Sequence, residues 1–167
     1  HPLVITLWGS DVYAFPGRSV LHRWLLGFAL GKAGLVLSAS HAMAAEASAL
    51  HMSPTGIVPF GVDTQRFKPA ENARNDGNIV VGTVKSLEHV YGIDILLRAF
   101  AWAVTATPEK NLKLVIAGEG SCRGELEDLA ASMGLGDRVR FTGRVPYEDL
   151  PALLGSFDIF AVLSRRE

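Results

Sequence analysis

The chain reads as an α/β protein built on parallel sheets, and three observations carry that reading. Short continuous apolar runs, among them Leu3 to Leu7, Ile79-Val80-Val81 and Leu112 to Ala117, have the character of strands covered on both faces by helices. Longer stretches between them repeat apolar residues at helical spacing. Repeated strand-helix alternation implies right-handed crossovers and hence parallel strands. The stretch 57–69, Ile57-Val58-Pro59-Phe60-Gly61-Val62-Asp63-Thr64-Gln65-Arg66-Phe67-Lys68-Pro69, fits neither period and carries a proline near each end. It is expected to connect two α/β units across a gap where a ligand can sit. A plain surface loop is the other reading, although Phe60, Val62 and Phe67 are unusually apolar for solvent-exposed chain.

From the N-terminus, Leu3-Val4-Ile5-Thr6-Leu7 is expected as a buried strand. Trp8-Gly9-Ser10-Asp11 follows at its carboxyl end, where open α/β sheets place ligands. The same small and polar residues also make an ordinary tight turn. Ser19 is placed to cap a helix through Leu30, Gly34 precedes a strand Leu35 to Ser38, and Ser40 caps a helix through Leu50. Arg18, His22, Arg23 and Trp24 leave two readings open, contact with a membrane surface or a packed helix with a solvated outer face.

Beyond the connector, Asn72 to Gly77 is polar, and Ile79-Val80-Val81 opens a strand ending at Gly82-Thr83. A polar loop with Lys85, Glu88 and His89 leads to Ile93, Leu96, Leu97, Phe100 and Val104, which share one face of a helix. Leu112 to Ala117 is the next strand, followed by Gly118-Glu119-Gly120-Ser121. Cys122, Leu126, Leu129 and Met133 mark the core face of the following helix, and Gly134 is placed to end it. Val139-Arg140-Phe141-Thr142 alternates as a strand, Gly143-Arg144-Val145-Pro146 turns the chain, a helix runs from about Glu148 to Leu154, and Phe157 to Leu163 is the last strand.

Composition narrows the function classes. With 167 residues, 49% hydrophobic and 20% charged, the chain suits a packed core of one domain or one and a part. The net charge of −1, with acids and bases interspersed, provides no basic footprint for nucleic acid. One cysteine, Cys122, can form neither an internal disulfide nor a thiolate cage, and fits a reducing cytosol as a core residue. The five histidines show no metal-ligand spacing, so no structural metal is expected. The start at His1 shows neither an initiator Met nor a signal peptide and reads as cut from something longer. The window Leu25 to Leu37, broken by Lys32 and glycines, is shorter than the roughly 20 residues a bilayer crossing needs.

Gly118-x-Gly120 after a strand and before a helix resembles a phosphate-cradling loop. The third glycine of a dinucleotide fingerprint is replaced by Arg123, with Gly124 one place late, which argues against a hydride-transfer enzyme. Neither a P-loop nor a nucleophile elbow is present. Lys85, Arg144 and Glu167 each follow an expected strand of the second unit and would converge on the carboxyl edge of one sheet. Two cations and a carboxylate there suit a diphosphate and a sugar hydroxyl. Solvated loop charge is the other account of each.

Several segments taken together resemble the retaining glycosyltransferases of family 4, whose GT-B architecture pairs two Rossmann-like units. They are Val4-Ile5-Thr6-Leu7-Trp8-Gly9-Ser10-Asp11-Val12, Val58-Pro59-Phe60-Gly61-Val62-Asp63 with Phe67-Lys68-Pro69, Gly82-Thr83-Val84-Lys85, Tyr91-Gly92-Ile93-Asp94, Val115 to Gly120, Val139 to Gly143, and Ser164-Arg165-Arg166-Glu167. The match is best to the branch that builds bacterial surface polysaccharides. The resemblance implies α/β fold class, with two Rossmann-like parallel-sheet units both incomplete here. Residues 1–56 would close the acceptor-side domain, 57–69 would connect, and 70–167 would be most of the donor-binding domain.

It further implies transfer from a nucleotide-sugar donor to a glycan or lipid-linked acceptor, in the cytoplasm, with peripheral contact at the inner face of the plasma membrane as an open reading. No cofactor and no metal are implied, because cationic side chains and helix N-termini stabilise the leaving diphosphate. Gly82, Thr83 and Lys85 would border the donor, with Lys85 meeting the diphosphate. Gly118 and Gly120 would line the nucleotide pocket, Arg144 and Val145 would border the base, and Glu167 would be the first Glu of the E-x7-E motif. Glu167 and Lys85 are the expected catalytic residues, and Trp8, Gly9, Ser10 and Asp11 would face the cleft from the N-terminal domain.

Three departures stand out. Trp8 occupies the place of a donor-contacting histidine, Tyr91-Gly92 replaces the usual Lys-Gly pair, and the second Glu of the motif is absent from these residues. The 167 residues are accordingly expected to be inactive alone. The first two departures keep a second reading open, a non-catalytic nucleotide-binding or interaction module on the same fold.

Overall fold

In the computed structural model, which describes residues 3–51, 53–69 and 77–165, the chain divides into two units, 1–62 and 63–167. The division falls inside the stretch expected to connect them.

Unit 1 is a three-stranded parallel sheet, β1 (Val4–Thr6), β2 (Leu35–Ser38) and β3 (Thr55–Ile57), in that spatial order. Three helices accompany it, α1 (Ser10–Tyr13), α2 (Val20–Gly31) and α3 (His41–Ser48). The Ser19 and Ser40 side chains accept from the backbone N–H of His22 and Met43, satisfying donors that a helix start leaves open. The core gathers Leu7, Val12, Leu30, Val36, Met43 and Ala47.

Two expectations need correction here. The run Leu3 to Leu7 is not buried throughout: Leu3 and Val4 are about half exposed and only Leu7 is fully enclosed, because β1 is an edge strand of this sheet. The connector does not begin irregularly at Ile57. Ile57 pairs with Ser38 as the last residue of β3, a strand of three residues too short to announce a period of its own.

Unit 2 carries a four-stranded parallel sheet of order β6-β5-β4-β7, made of β4 (Asn78–Val84), β5 (Asn111–Ala117), β6 (Val139–Gly143) and β7 (Ile159–Phe160). The helices are α4 (Ile93–Ala106), α5 (Arg123–Ser132) and α6 (Leu150–Gly155). Ile93, Leu96, Leu97 and Phe100 of α4 interlock with Leu112, Leu114 and Ile116 of β5 and with Leu126 and Ala130 of α5. Cys122 packs half-buried against this core.

The strand expected over Phe157 to Leu163 shrinks to Ile159–Phe160. Only Val81 and Gly82 of β4 offer it a register, and both its side chains are about half exposed at the sheet edge. The connector's aromatics divide between the units. Phe60 meets Trp8 at 5.2 Å in unit 1, whereas Phe67 meets Tyr147 edge-on at 6.1 Å in unit 2, where the Arg66 guanidinium lies 4.4 Å over the Tyr147 ring. No helix among the described residues is long and apolar enough to cross a membrane.

Candidate functional site

At the carboxyl edge of the second sheet, the loops after β4, β5 and β6 are laced side by side. Lys85 N donates to Ala117 O at 3.0 Å, Leu87 N to Glu119 O at 2.9 Å, Cys122 N to Leu87 O at 2.9 Å, and Gly118 N to Gly143 O at 2.8 Å. Pairing therefore continues past the ends of the strands. Gly118 is required by this lacing: its φ is 142°, and a Cβ there would overlap the carbonyl oxygen of Lys85, so no other residue fits. Loop-on-loop packing thus requires a glycine here, whatever ligand the loop also meets.

The laced loops border an open hollow of about 450 Å³, whose lining includes Lys85, Ser86, Tyr91, Gly118, Glu119, Arg144, Val145 and Leu150. Lys85 Nζ stands 5.1 Å from the centre of the Tyr91 ring, close enough for the ring face to stabilise the ammonium. With Arg144 and Glu119 also in the lining, the hollow has two cations and one carboxylate. Such a set suits an anion that also bears hydroxyl groups.

Two carboxylates tie segments of unit 2 together. Glu88 accepts from Ser121 N at 2.8 Å and from Ser121 Oγ at 2.6 Å, and these bonds, the hydroxyl's first, hold its pKa below the usual carboxylate value. Asp94, in the first turn of α4, takes a bidentate pair from Arg165 at 3.0 and 2.6 Å. Arg165 also bonds the His89 carbonyl through Nη1, and its own N–H donates to Val90 O at 2.8 Å. Gly92, at φ 65°, leaves room for the Leu163 carbonyl where a Cβ would collide. The segment after β7 is thereby strapped over the start of α4.

The Arg165 hydrogen bonds hold the Asp94 carboxyl below its ordinary pKa. A folded-state pKa below the unfolded one means that the pairing stabilises fully above the unfolded value, near about 4, and is lost as pH falls through the folded value. Because both partners remain about 30% exposed, solvent screens the pair and its contribution is small. Asp94→Asn is expected to lower the thermal midpoint slightly at neutral pH, and the gap from the parent should close as the pH drops below about 4. Melting curves recorded across that range check it, and a gap independent of pH would assign the effect to packing.

Of the residues singled out from the sequence, Lys85, Gly118, Arg144 and Val145 come together on the hollow. Gly82 and Thr83 do not line it: Gly82 sits inside β4 against the Phe157 ring, and Thr83 is buried at 1% exposure. Gly120 rests on the Leu87 backbone. Glu167 lies outside the described residues. Trp8 and Gly9 lead into α1 of unit 1, which Ser10 and Asp11 open; the Asp11 carboxylate accepts from the backbone N–H of Trp8, Gly9 and Val12, and Trp8 is 73% exposed. Sequence reasoning passed over Glu119 and Leu150 as lining residues. Glu119, between two glycines after a strand, carried the signal that could have found it.

Residues 64–167 match the family model described as glycosyl transferases group 1, and residues 1–40 match one described as glycosyl transferase 4-like. The chain belongs to the group 1 glycosyltransferases. Among the relatives of this group 1 chain, a 2-deoxystreptamine glucosyltransferase of Streptomyces kanamyceticus is 29% identical over 94% of the chain and 42% of its own length. A D-inositol 3-phosphate glycosyltransferase of Corynebacterium jeikeium is 34% identical over 66% of the chain and 30% of its own length.

Among solved structures, Anabaena HepE in complex with UDP and glucose superposes with a TM-score of 0.79 at 22% identity, covering 98% of this chain and 46% of that one. S. aureus TarM superposes at 0.80 with 15% identity, covering 99% of this chain and 33% of that one. These likenesses establish the fold, the GT-B class of paired Rossmann-like units. The chain spans less than half the length of these relatives.

Proposed function

We propose that this chain is part of a retaining glycosyltransferase that moves a sugar from a nucleotide-sugar donor to a glycan or lipid-linked acceptor in bacterial surface polysaccharide synthesis, on the cytoplasmic side. One observation carries the donor half of the reading: Lys85, Gly118 and Arg144, from three different loops, line a single hollow at the carboxyl edge of a parallel sheet, where doubly wound folds place nucleotides. The relatives lend it support, since one solved neighbour holds UDP-glucose and one curated relative is described as GDP-mannose-dependent.

In this reading the diphosphate is the leaving group, and charge grows on it as the glycosidic bond breaks. Lys85 and Arg144 stabilise that charge more in the transition state than in the ground state, so no resident metal is needed. The aromatic ring beneath Lys85 keeps the ammonium in place, which lowers the cost of reorganisation. Glu88 acts at one remove by holding Ser121, and with it the turn into α5.

Lys85→Ala is expected to weaken nucleotide-sugar binding by roughly 1.5–3 kcal/mol, the value of a charge-assisted contact. Calorimetry against a panel of UDP- and GDP-sugars measures it. Unchanged affinity in a folded variant would remove Lys85 from the site, and failure of every donor to bind the parent protein would remove the reading itself.

A further inference from the structure

We infer that Arg66 and Phe67 are positioning residues for the donor hollow, forming a latch that holds the loop between β6 and α6 and so sets how tightly the hollow takes a nucleotide. The inference deepens the donor-binding reading and rests on it. Both residues belong to the segment that opens unit 2, irregular chain that is ordered only if something local fixes it. Asp63 does so. Its carboxylate accepts from the N–H of Gln65 at 2.9 Å and of Arg66 at 3.2 Å, and its carbonyl accepts from the N–H of Arg66 and Phe67 at 3.1 and 2.9 Å. Residues 63–67 are thereby closed into a turn.

Both side chains of that turn meet Tyr147. Arg66 Nη2 donates to the Tyr147 carbonyl at 3.2 Å, the same guanidinium lies over the ring, and Phe67 meets the ring edge-on. Hydrogen bond, cation–π contact and aromatic edge thus converge on one residue. Tyr147 does not line the hollow, but Arg144, Val145 and Leu150 on either side of it do. The carbonyl that Arg66 holds also accepts from Leu150 N at 3.4 Å, so one oxygen carries both the latch and the turn that brings Leu150 to the lining. Pro146 to Asp149 are all exposed, so core packing does not fix this loop and the latch does. A contact that favours the binding position of a loop is favoured in turn by whatever binds there, and the coupling is reciprocal.

Arg66→Ala tests it through two readouts. Amide hydrogen exchange without nucleotide should quicken several-fold at Tyr147 to Leu150, since the loop opens more often once unlatched. Calorimetry with UDP and GDP as probes should show affinity reduced about fivefold or more for whichever binds the parent, the low end of coupling between sites. The thermal midpoint should stay within about 2 °C of the parent's, because the change is at the surface. Arg66→Lys, which returns a cation to the ring but not the fork that reaches the carbonyl, should recover part of the affinity. In the parent, nucleotide should slow exchange at the Arg66 and Phe67 amides. A folded Arg66→Ala variant that binds nucleotide as the parent does overturns the inference alone, and so does unchanged exchange in the loop. If neither probe binds the parent, the donor-binding reading falls and the inference falls with it.

Discussion

Gly118→Ala should lower the thermal midpoint of unit 2 by more than about 10 °C, the shift expected when roughly 3 kcal/mol or more is lost from a domain of this size. Two costs combine. The residue holds φ at 142°, a region that strains any side chain by about 1–3 kcal/mol. The new methyl would also overlap the Lys85 carbonyl, which is backbone held by the Lys85 N–H to Ala117 O bond and cannot swing aside as a side chain would. Relief requires parting the β4 and β5 loops, and overpacking of that kind adds about 1–3 kcal/mol more. Gly124→Ala is the companion change, because nothing lies within 4 Å of its Cβ position in α5. It should stabilise by about 0.5–1 kcal/mol through helix preference alone. Calorimetric melts of both variants decide the matter; a Gly118→Ala midpoint equal to the parent's would mean that the loops are not locked as described.

Leu97→Ala carries the second large effect, a loss of about 2–5 kcal/mol. Leu97 is fully buried in the cluster where α4 lies over β5, among Leu114, Ile116 and Phe100. Removing its isobutyl group leaves a void that the sheet below cannot fill, since strands hydrogen-bonded on both sides do not move inward. Trp102, on the outer side of the same helix at 73% exposure, supplies the contrast: Trp102→Ala should cost less than about 1 kcal/mol. Urea denaturation of the two variants measures both, and equal losses would refute the assignment of α4's buried face.

That face was legible beforehand because it depends on spacing alone. Ile93, Leu96, Leu97 and Phe100 recur at helical intervals, and all four are buried as expected. Ser19 and Ser40 likewise announced helix starts through a purely local hydrogen bond. Other features have no local signature. Glu88 finds Ser121 across 33 residues, and Arg165 finds Asp94 across 71. A glycine required by a neighbour's carbonyl, such as Gly118, reads in sequence like one that admits a ligand.

The sequence by itself determined the alternation of strand and helix, the buried face of α4, and the arrival of Lys85 and Arg144 just past parallel strands, because hydrophobic periodicity and chain polarity act within a few residues. Tertiary structure alone decided which apolar runs are covered. Leu3 and Val4 fall on an edge strand and stay exposed, Ile159 and Phe160 pair with only two residues of β4, and α2 turns Trp24 and Phe28 outward. Burial is a property of what lies opposite a side chain, and what lies opposite is set by crossovers and by sheet order, on which no single segment carries information.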